Sequence, residues 1–353
     1  MKRHFMILVA LALLLAAPAA LGEGDTFTLS LVGDVSIGDA IQYRTTASSY
    51  HAAISREGTD WPFSLVQAYF QEDDLTLANL EAVFTTLKKG SDKRYNLVAA
   101  PAHVQALKQG GIDLVNTVNN HAQDFGLAGY EQSMAVLDEA GIGRFGSLSF
   151  REGEPHDQQV VREVQGVRIG FLGYSYPSER DAAHIARRIQ ALKAEQGCQL
   201  VVVSLHWGRE EHKTPGISQA KLASQVMDAG ADVIWGHHPH ILQPIQLYQG
   251  KPVLYSTGNF TFGTMSPVDP DTGIFQLRYR VEDGAPVLEE LRVIPCRTTR
   301  SPDFRPYELT EEKERLAVFR KLRWGKSVQG FDNLPASFLQ TGIVRFEQGQ
   351  LVP

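Results

Sequence analysis

The sequence predicts a layered α/β domain, and two observations carry that prediction. Short β-branched runs alternate with amphipathic stretches along most of the chain, and polar residues recur directly after the predicted strands. With 353 residues, 43% hydrophobic and 21% charged, and with 31 Gly and 17 Pro scattered without repeat, the composition is that of a folded chain of one or two domains.

Taken in order, residues 1–22 carry a basic start (Lys2, Arg3), an apolar run over 5–17 and small residues up to Gly22. This is the pattern of a secretory signal peptide, too short for a comfortable membrane span. The chain is expected to be exported, to the periplasm or beyond the cell, or held at the membrane if the segment stays uncleaved. Loss of Lys2 and Arg3, two positive charges, takes the formal net charge from −6 to −8. With no dense basic patch, that charge argues against a nucleic-acid partner.

Residues 26–32 read as a strand ending at Gly33 and Asp34. A helix over 63–71 precedes a short strand over 75–77 that leads into Asn79, Leu80 and Glu81. A helix over 102–108 stops at Gly110 and Gly111, and a strand over 113–118 runs into Asn119, Asn120 and His121. Tyr130, Met134 and Leu137 at helical spacing mark a helix over 129–140, stopped by Gly141. Strands over 160–164 and 167–172 flank Gln165 and Gly166, a hairpin turn. A helix over 182–195 precedes the strand 200–205, which ends at His206, Trp207 and Gly208. A helix over 218–229 precedes the strand 233–235, which opens into "WGHHPH". Strands over 245–248, 253–256, 273–281 and 288–294 follow. The economical division is one domain over 23–297 and a C-terminal appendage, 298–353, with a helix over 310–322 and no assigned role. Cys198 and Cys296 either pair or lie buried separately.

Asp34, Glu81, Asn120, His121, His206 and the histidines 237, 238 and 240 all follow predicted strands. In open α/β sheets the loops at the carboxyl ends of strands converge on one crevice, so five loops are expected to share a site. Carboxylate, carboxamide oxygen and imidazole together suit a borderline divalent ion such as Mn²⁺, Fe²⁺ or Zn²⁺. In an extended segment residues two apart share a face, so His238 and His240 are expected to face the site and His237 to point elsewhere as a supporting residue.

The ordered set "GDV" (33–35), "ANLE" (78–81), "NNHAQDFG" (119–126), "SLHWGRE" (204–210), "GHHPHILQ" (236–243) and "YSTGNF" (255–260) resembles the CapA family of capsule and poly-γ-glutamate synthesis proteins. That family belongs to the calcineurin-like metallophosphoesterase superfamily, and the resemblance covers residues 25–262. It implies a four-layer α/β/β/α sandwich of mixed sheets holding one or two divalent ions. Carried over, Asp34 and His240 bind one metal, Glu81 bridges, and Asn120, His206 and His238 bind the second. His121 resembles the histidine that protonates a leaving group or stabilises developing charge, with Asp124 placed to orient its ring. The superfamily commonly has a histidine two positions after its first aspartate, where this chain has Ser36.

Asn259 is a candidate substrate contact or turn residue, and Arg44, Lys93 and Arg209 are candidate contacts for an anionic substrate or ordinary surface charge. Trp207 is expected to pack a loop. The convergent ligands and the signal pattern point to an exported, metal-dependent hydrolase acting on an anionic envelope polymer or phosphoester. The alternatives are a non-catalytic assembly component working beside a membrane polymer synthase or export complex, and metal-dependent peptide epimerisation.

Overall fold

Alternation along the first strand sets the layering. In the computed structural model, which describes residues 25–151, 156–263, 269–323 and 330–352, the strand Thr26–Val35 sends Phe27, Leu29 and Leu31 to one side and Val32 and Val35 to the other. The first side faces a second sheet, where Ile169, Phe171, Leu200, Val202, Val233 and Trp235 complete a shared core. The other side meets the helices Val104–Gly110 and Gly126–Ala140, through Leu107, Tyr130, Met134 and Leu137. The second sheet is covered on its outer face by Ala182–Ala194 and Ile217–Asp228, through Ile185, Ile189, Leu192, Leu222 and Val226. These layers make a four-layer α/β/β/α sandwich.

Both sheets are mixed. In the first, Thr26–Val35 lies parallel to Leu75–Leu80, which is followed by Leu114–Asn116 and Gly143–Ser147, and on its other side antiparallel to Asp271–Glu282 and then Ala285–Thr298. In the second, Val167–Ser175, Leu200–His206, Val233–His237 and Lys251–Leu254 run parallel, with antiparallel Val160–Val164 and Ile245–Tyr248 outside them. Buried on both faces, the parallel strands read as near-continuous apolar runs rather than alternating ones. The expected hairpin is present, with Gln165 at φ 48° and Gly166 at φ 73°, the left-handed pair of a two-residue turn.

The structure adds detail at three points. The helix over 63–71 forms only as Gln67–Gln71, because the Ser64 hydroxyl donates to the Trp61 carbonyl in a turn and Phe63 packs flat against Gly110. Cys198 and Cys296 are both free, in the outer cores of opposite sheets, so the two cannot meet. The segment after 297 adds Phe331–Asn333 to one sheet and Ile343–Glu347 to the other, and places Phe319, Phe338 and Val344 in the core between them. The expected signal, residues 1–22, lies outside the described residues. No helix among the described residues is long and apolar enough to cross a membrane.

The backbone of residues 254–258 passes against both Gly33 and Gly236. A Cβ on Gly33 would stand 2.0 Å from the Gly258 carbonyl oxygen, and one on Gly236 2.1 Å from that of Tyr255. Gly33→Ala and Gly236→Ala are each expected to cost about 3 kcal/mol of stability in urea melts, because backbone rather than a flexible side chain must yield.

Asp73 is half-buried ahead of Leu75–Leu80, and burial pushes its carboxyl up to about 6 against the hydrogen bonds from Ser30 and Thr76. A raised folded-state pKa stabilises fully below the unfolded value near pH 4, and that contribution is lost as pH rises through 6. Asp73→Asn is expected to gain about 1 kcal/mol at pH 7.5, after allowance for solvent screening, and nothing at pH 4. Urea melts at the two pH values check it.

Candidate functional site

The carboxyl ends of parallel strands from both sheets deliver the polar residues. Val32 and Val35 both face the helix side, a spacing of three that inverts the alternation once; the pairing register with Leu75–Leu80 shifts over the same stretch. Such an irregularity re-aims a side chain, and it turns Asp34 toward the second sheet. There Asp34 Oδ1 accepts from Asn79 Nδ2 at 2.8 Å and lies 2.9 Å from His237 Nδ1, while Oδ2 stands 3.3 Å from His240 Nδ1. His240 Nδ1 is in turn 2.9 Å from Asn259 Oδ1. Asp34 and His237 are fully buried.

Glu81 follows the strand Leu75–Leu80, also fully buried, and Asn79 Nδ2 donates to its Oε1 at 3.1 Å. One carboxamide thus holds both carboxylates, and Asn116 Nδ2 fixes that carboxamide by donating to Asn79 Oδ1 at 2.8 Å. On the far side of Glu81, His206 Nδ1 lies 3.4 Å from Oε1, and His206 Nε2 lies 2.9 Å from Asn120 Oδ1. The ring of His238 sits 4.8 Å from that of His206 and 6.0 Å from that of His240. His121 Nδ1 is 2.7 Å from Asp124 Oδ2, and Lys93 Nζ reaches Asp124 Oδ1 at 2.5 Å and the Asn120 carbonyl at 2.8 Å.

The structure therefore brings together Asp34, Glu81, Asn120, His206, His237, His238 and His240, with His121 and Asp124 alongside. The extended-segment reason for His238 and His240 does not hold. The strand ends at His237, and the two histidines have φ of 95° and 58°, so a left-handed turn around Pro239 brings their rings together. His237 lies under Asp34 with its ring edge-on to Trp235, centroids 4.2 Å apart. Ser36 is turned away: its Oγ donates to the Gly38 carbonyl at 3.2 Å and accepts from Gly263 N at 2.8 Å. Asn259 meets His240, and Arg209 is exposed at the rim of a cavity of about 280 Å³ shared with Tyr176, Trp207 and His212. Trp207 packs its loop, with Nε1 donating to the Tyr255 carbonyl at 2.9 Å.

Several roles escaped the sequence reading. Asn79 and Asn116 close apolar strands just as Asp34 does, so the same positional signal marks them. Lys93 against Asp124 comes from a loop without a pattern, Tyr176, whose hydroxyl is 3.3 Å from His238 Nε2, directly follows the strand Val167–Ser175, and Glu210 closes the "SLHWGRE" motif without a role assigned to it.

The electrostatics are those of a cluster built around positive charge. Burial pushes Asp34 upward, but His237 and His240 outweigh it and hold its carboxyl well below the usual range. Burial and then the Asp34 charge push Glu81 well above the usual range, since two adjacent buried carboxylates compete for one negative charge. Burial works against a charged His240, yet Glu81 and Asp34 raise it to about 10; burial takes His238 down to about 4 and lowers His206 and His121 as well. Asp34 Oδ2, Glu81 Oε2, His206 Nδ1 and His238 Nδ1 are buried with no hydrogen-bond partner among the described residues. Asp34, Glu81 and His240 each offer a ligand atom within 4.8 Å of the others. Buried polar atoms left unpaired are costly, and a divalent cation would pair them and let both carboxylates ionise. The donor set fits such an ion.

The sandwich and this cluster at its strand ends are consistent with the calcineurin-like metallophosphoesterase superfamily, the class the resemblance implied. Over residues 28–264 the chain matches the family described as "Bacterial capsule synthesis protein PGA_cap", and it belongs to that family. It is 29% identical to "Capsule biosynthesis protein CapA" of Bacillus anthracis, covering 87% of this chain and 75% of that one. It is 30% identical to "PGA biosynthesis protein CapA" of Bacillus subtilis (strain 168), covering 67% and 64%, so it spans somewhat less than two thirds of that relative. A "probable polyglutamine synthesis accessory protein" of Mycobacterium tuberculosis is 27% identical over 67% of this chain and 75% of its own. A crystal structure of a hypothetical protein from Thermus thermophilus matches with a TM-score of 0.46 at 17% identity, over 76% of this chain and 97% of that one.

Asn79→Ala is expected to cost about 2–3 kcal/mol in urea melts run in chelator, because it removes the donor shared by two buried carboxylates and one of the two acceptors of the Asn116 amide.

Proposed function

We propose that this chain is an exported, metal-dependent hydrolase of capsule or poly-glutamate synthesis, acting on an anionic envelope polymer or a phosphoester. The carrying observation is that Asp34, Glu81, His206 and His238 each keep one buried atom without a hydrogen-bond partner among the described residues, beside a carboxylate-oriented histidine. Asp34, Glu81, Asn120, His206, His238 and His240 would hold one or two ions of the Mn²⁺, Fe²⁺ or Zn²⁺ type. When bound, such ions lower the pKa of water and neutralise substrate oxygens.

The remaining steps belong to the chain's own residues. Asp124 holds His121 through Nδ1, which leaves Nε2 as the atom that exchanges a proton with substrate. Lys93 pairs with Asp124 and holds it in place, so the orientation of His121 depends on a residue of another loop. Burial holds His121 below the ordinary imidazole range against the opposing pull of Asp124, and the negative charge of an anionic substrate would act in the same direction as Asp124. The substrate preference is supported by the exposed Arg209 at the rim and by the names of the relatives.

His121→Ala is expected to lower kcat by about 10²–10⁴ on poly-γ-glutamate or an aryl phosphodiester in Mn²⁺, and Lys93→Met to lower it by less. EDTA should abolish turnover and added Mn²⁺ restore it. Wild type inactive on both substrates with metal bound would defeat the hydrolase reading.

A second reading, a polymer-binding assembly component beside a membrane synthase or export complex, is supported by the "accessory protein" name of the mycobacterial relative. Poly-γ-glutamate binding that survives His121→Ala, without turnover, would favour it.

A further inference from the structure

We infer that Glu210 is a ligand of an outer divalent-cation position, formed with His238 and His240 and supplying the donor that Ser36 does not. The inference rests on the metal-dependent reading above and adds a residue that neither the strand-end pattern nor the family resemblance assigned.

A carboxylate oxygen of Glu210 and ring nitrogens of His238 and His240 all lie within 4.8 Å of one another. The buried set of Asp34, Glu81 and His240 meets the same limit, so His240 stands between an inner and an outer group. His238 is 5% exposed, and its Nδ1 has no hydrogen-bond partner among the described residues. An imidazole buried that deeply with an unpaired nitrogen calls for a ligand.

The loop carrying Glu210 is held against the histidine turn by the backbone. Trp207 N donates to the His237 carbonyl at 3.0 Å, Glu211 N to the Pro239 carbonyl at 2.9 Å, and Gln243 Nε2 to the His212 carbonyl at 2.7 Å. Gly208 at φ 86° and Glu211 at φ 61° take left-handed conformations on either side of Glu210. A non-glycine residue held there is strained and persists where surrounding contacts over-determine it. The beneficiary is the placement of one carboxylate beside two imidazoles. Ser36 is not a competitor, because its hydroxyl is committed to Gly38 and Gly263. A carboxylate with two imidazoles is a donor set for Mn²⁺ or Zn²⁺.

Mn²⁺ titration of the full chain by equilibrium dialysis, with low-temperature EPR on the same samples, tests this. Wild type is expected to bind two Mn²⁺ with the signal of a coupled pair. Glu210→Gln should keep one ion, give the signal of isolated Mn²⁺, and bind the second at least tenfold more weakly. Glu211→Gln, the neighbouring exposed residue, should match wild type. Equal melting temperatures of wild type and Glu210→Gln in EDTA exclude a folding defect. Two ions bound by Glu210→Gln as tightly as by wild type would overturn the assignment of Glu210 alone. A wild type that binds none would overturn the metal-dependent reading with it.

Discussion

The Asp34 carboxylate is the constraint around which the rest is arranged. A fully buried carboxylate is tolerated only when paired and hydrogen-bonded, and its partners come from separate strands and both sheets. Asn79 reaches it from within its own sheet; His237 and His240 reach it across the sandwich. The two sheets are therefore tied together at their carboxyl ends. The apolar residues beneath, from Leu31 to Trp235, supply the packing that keeps them there, and the Trp235 indole donates to the Val32 carbonyl across the gap at 3.0 Å.

That arrangement explains why much was legible in the sequence. Buried parallel strands must be apolar, so Leu200–His206 and Val233–His237 announce themselves, and a polar residue that ends such a run is conspicuous. Asp34, Glu81, His206 and the 237–240 histidines were readable on that ground alone. Other strands were not. Gly143–Ser147 contains two glycines and an arginine, and Phe331–Asn333 and Ile343–Glu347 are short or solvent-facing, so their strand character comes from pairing with neighbours already in place.

The second illegible class is what loops contribute. The rings of His238 and His240 meet through positive φ around Pro239, which no period of two or 3.6 encodes. Lys93 could be read as ordinary surface charge because its partner lies far off in sequence, and only the folded chain shows it against Asp124. Asn79 and Asn116 differ, since their position was visible while their role was not. A carboxamide becomes a connector only when its donor side finds two carboxylates and its acceptor side finds another amide.

The passage of residues 254–258 between Gly33 and Gly236 has a kinetic consequence. Asp34 N donates to the Gly258 carbonyl and Thr257 N to the Gly236 carbonyl, so this late segment acts as a spacer that sets how closely the first strand and the histidine strand lie. Asp34 lies near the start of the folded chain and Gly258 far along it, a contact of long sequence separation that forms slowly. The spacing of the cluster thus depends on contacts that span most of the chain, and an N-terminal fragment without residues 254–258 would lack the spacer that sets it.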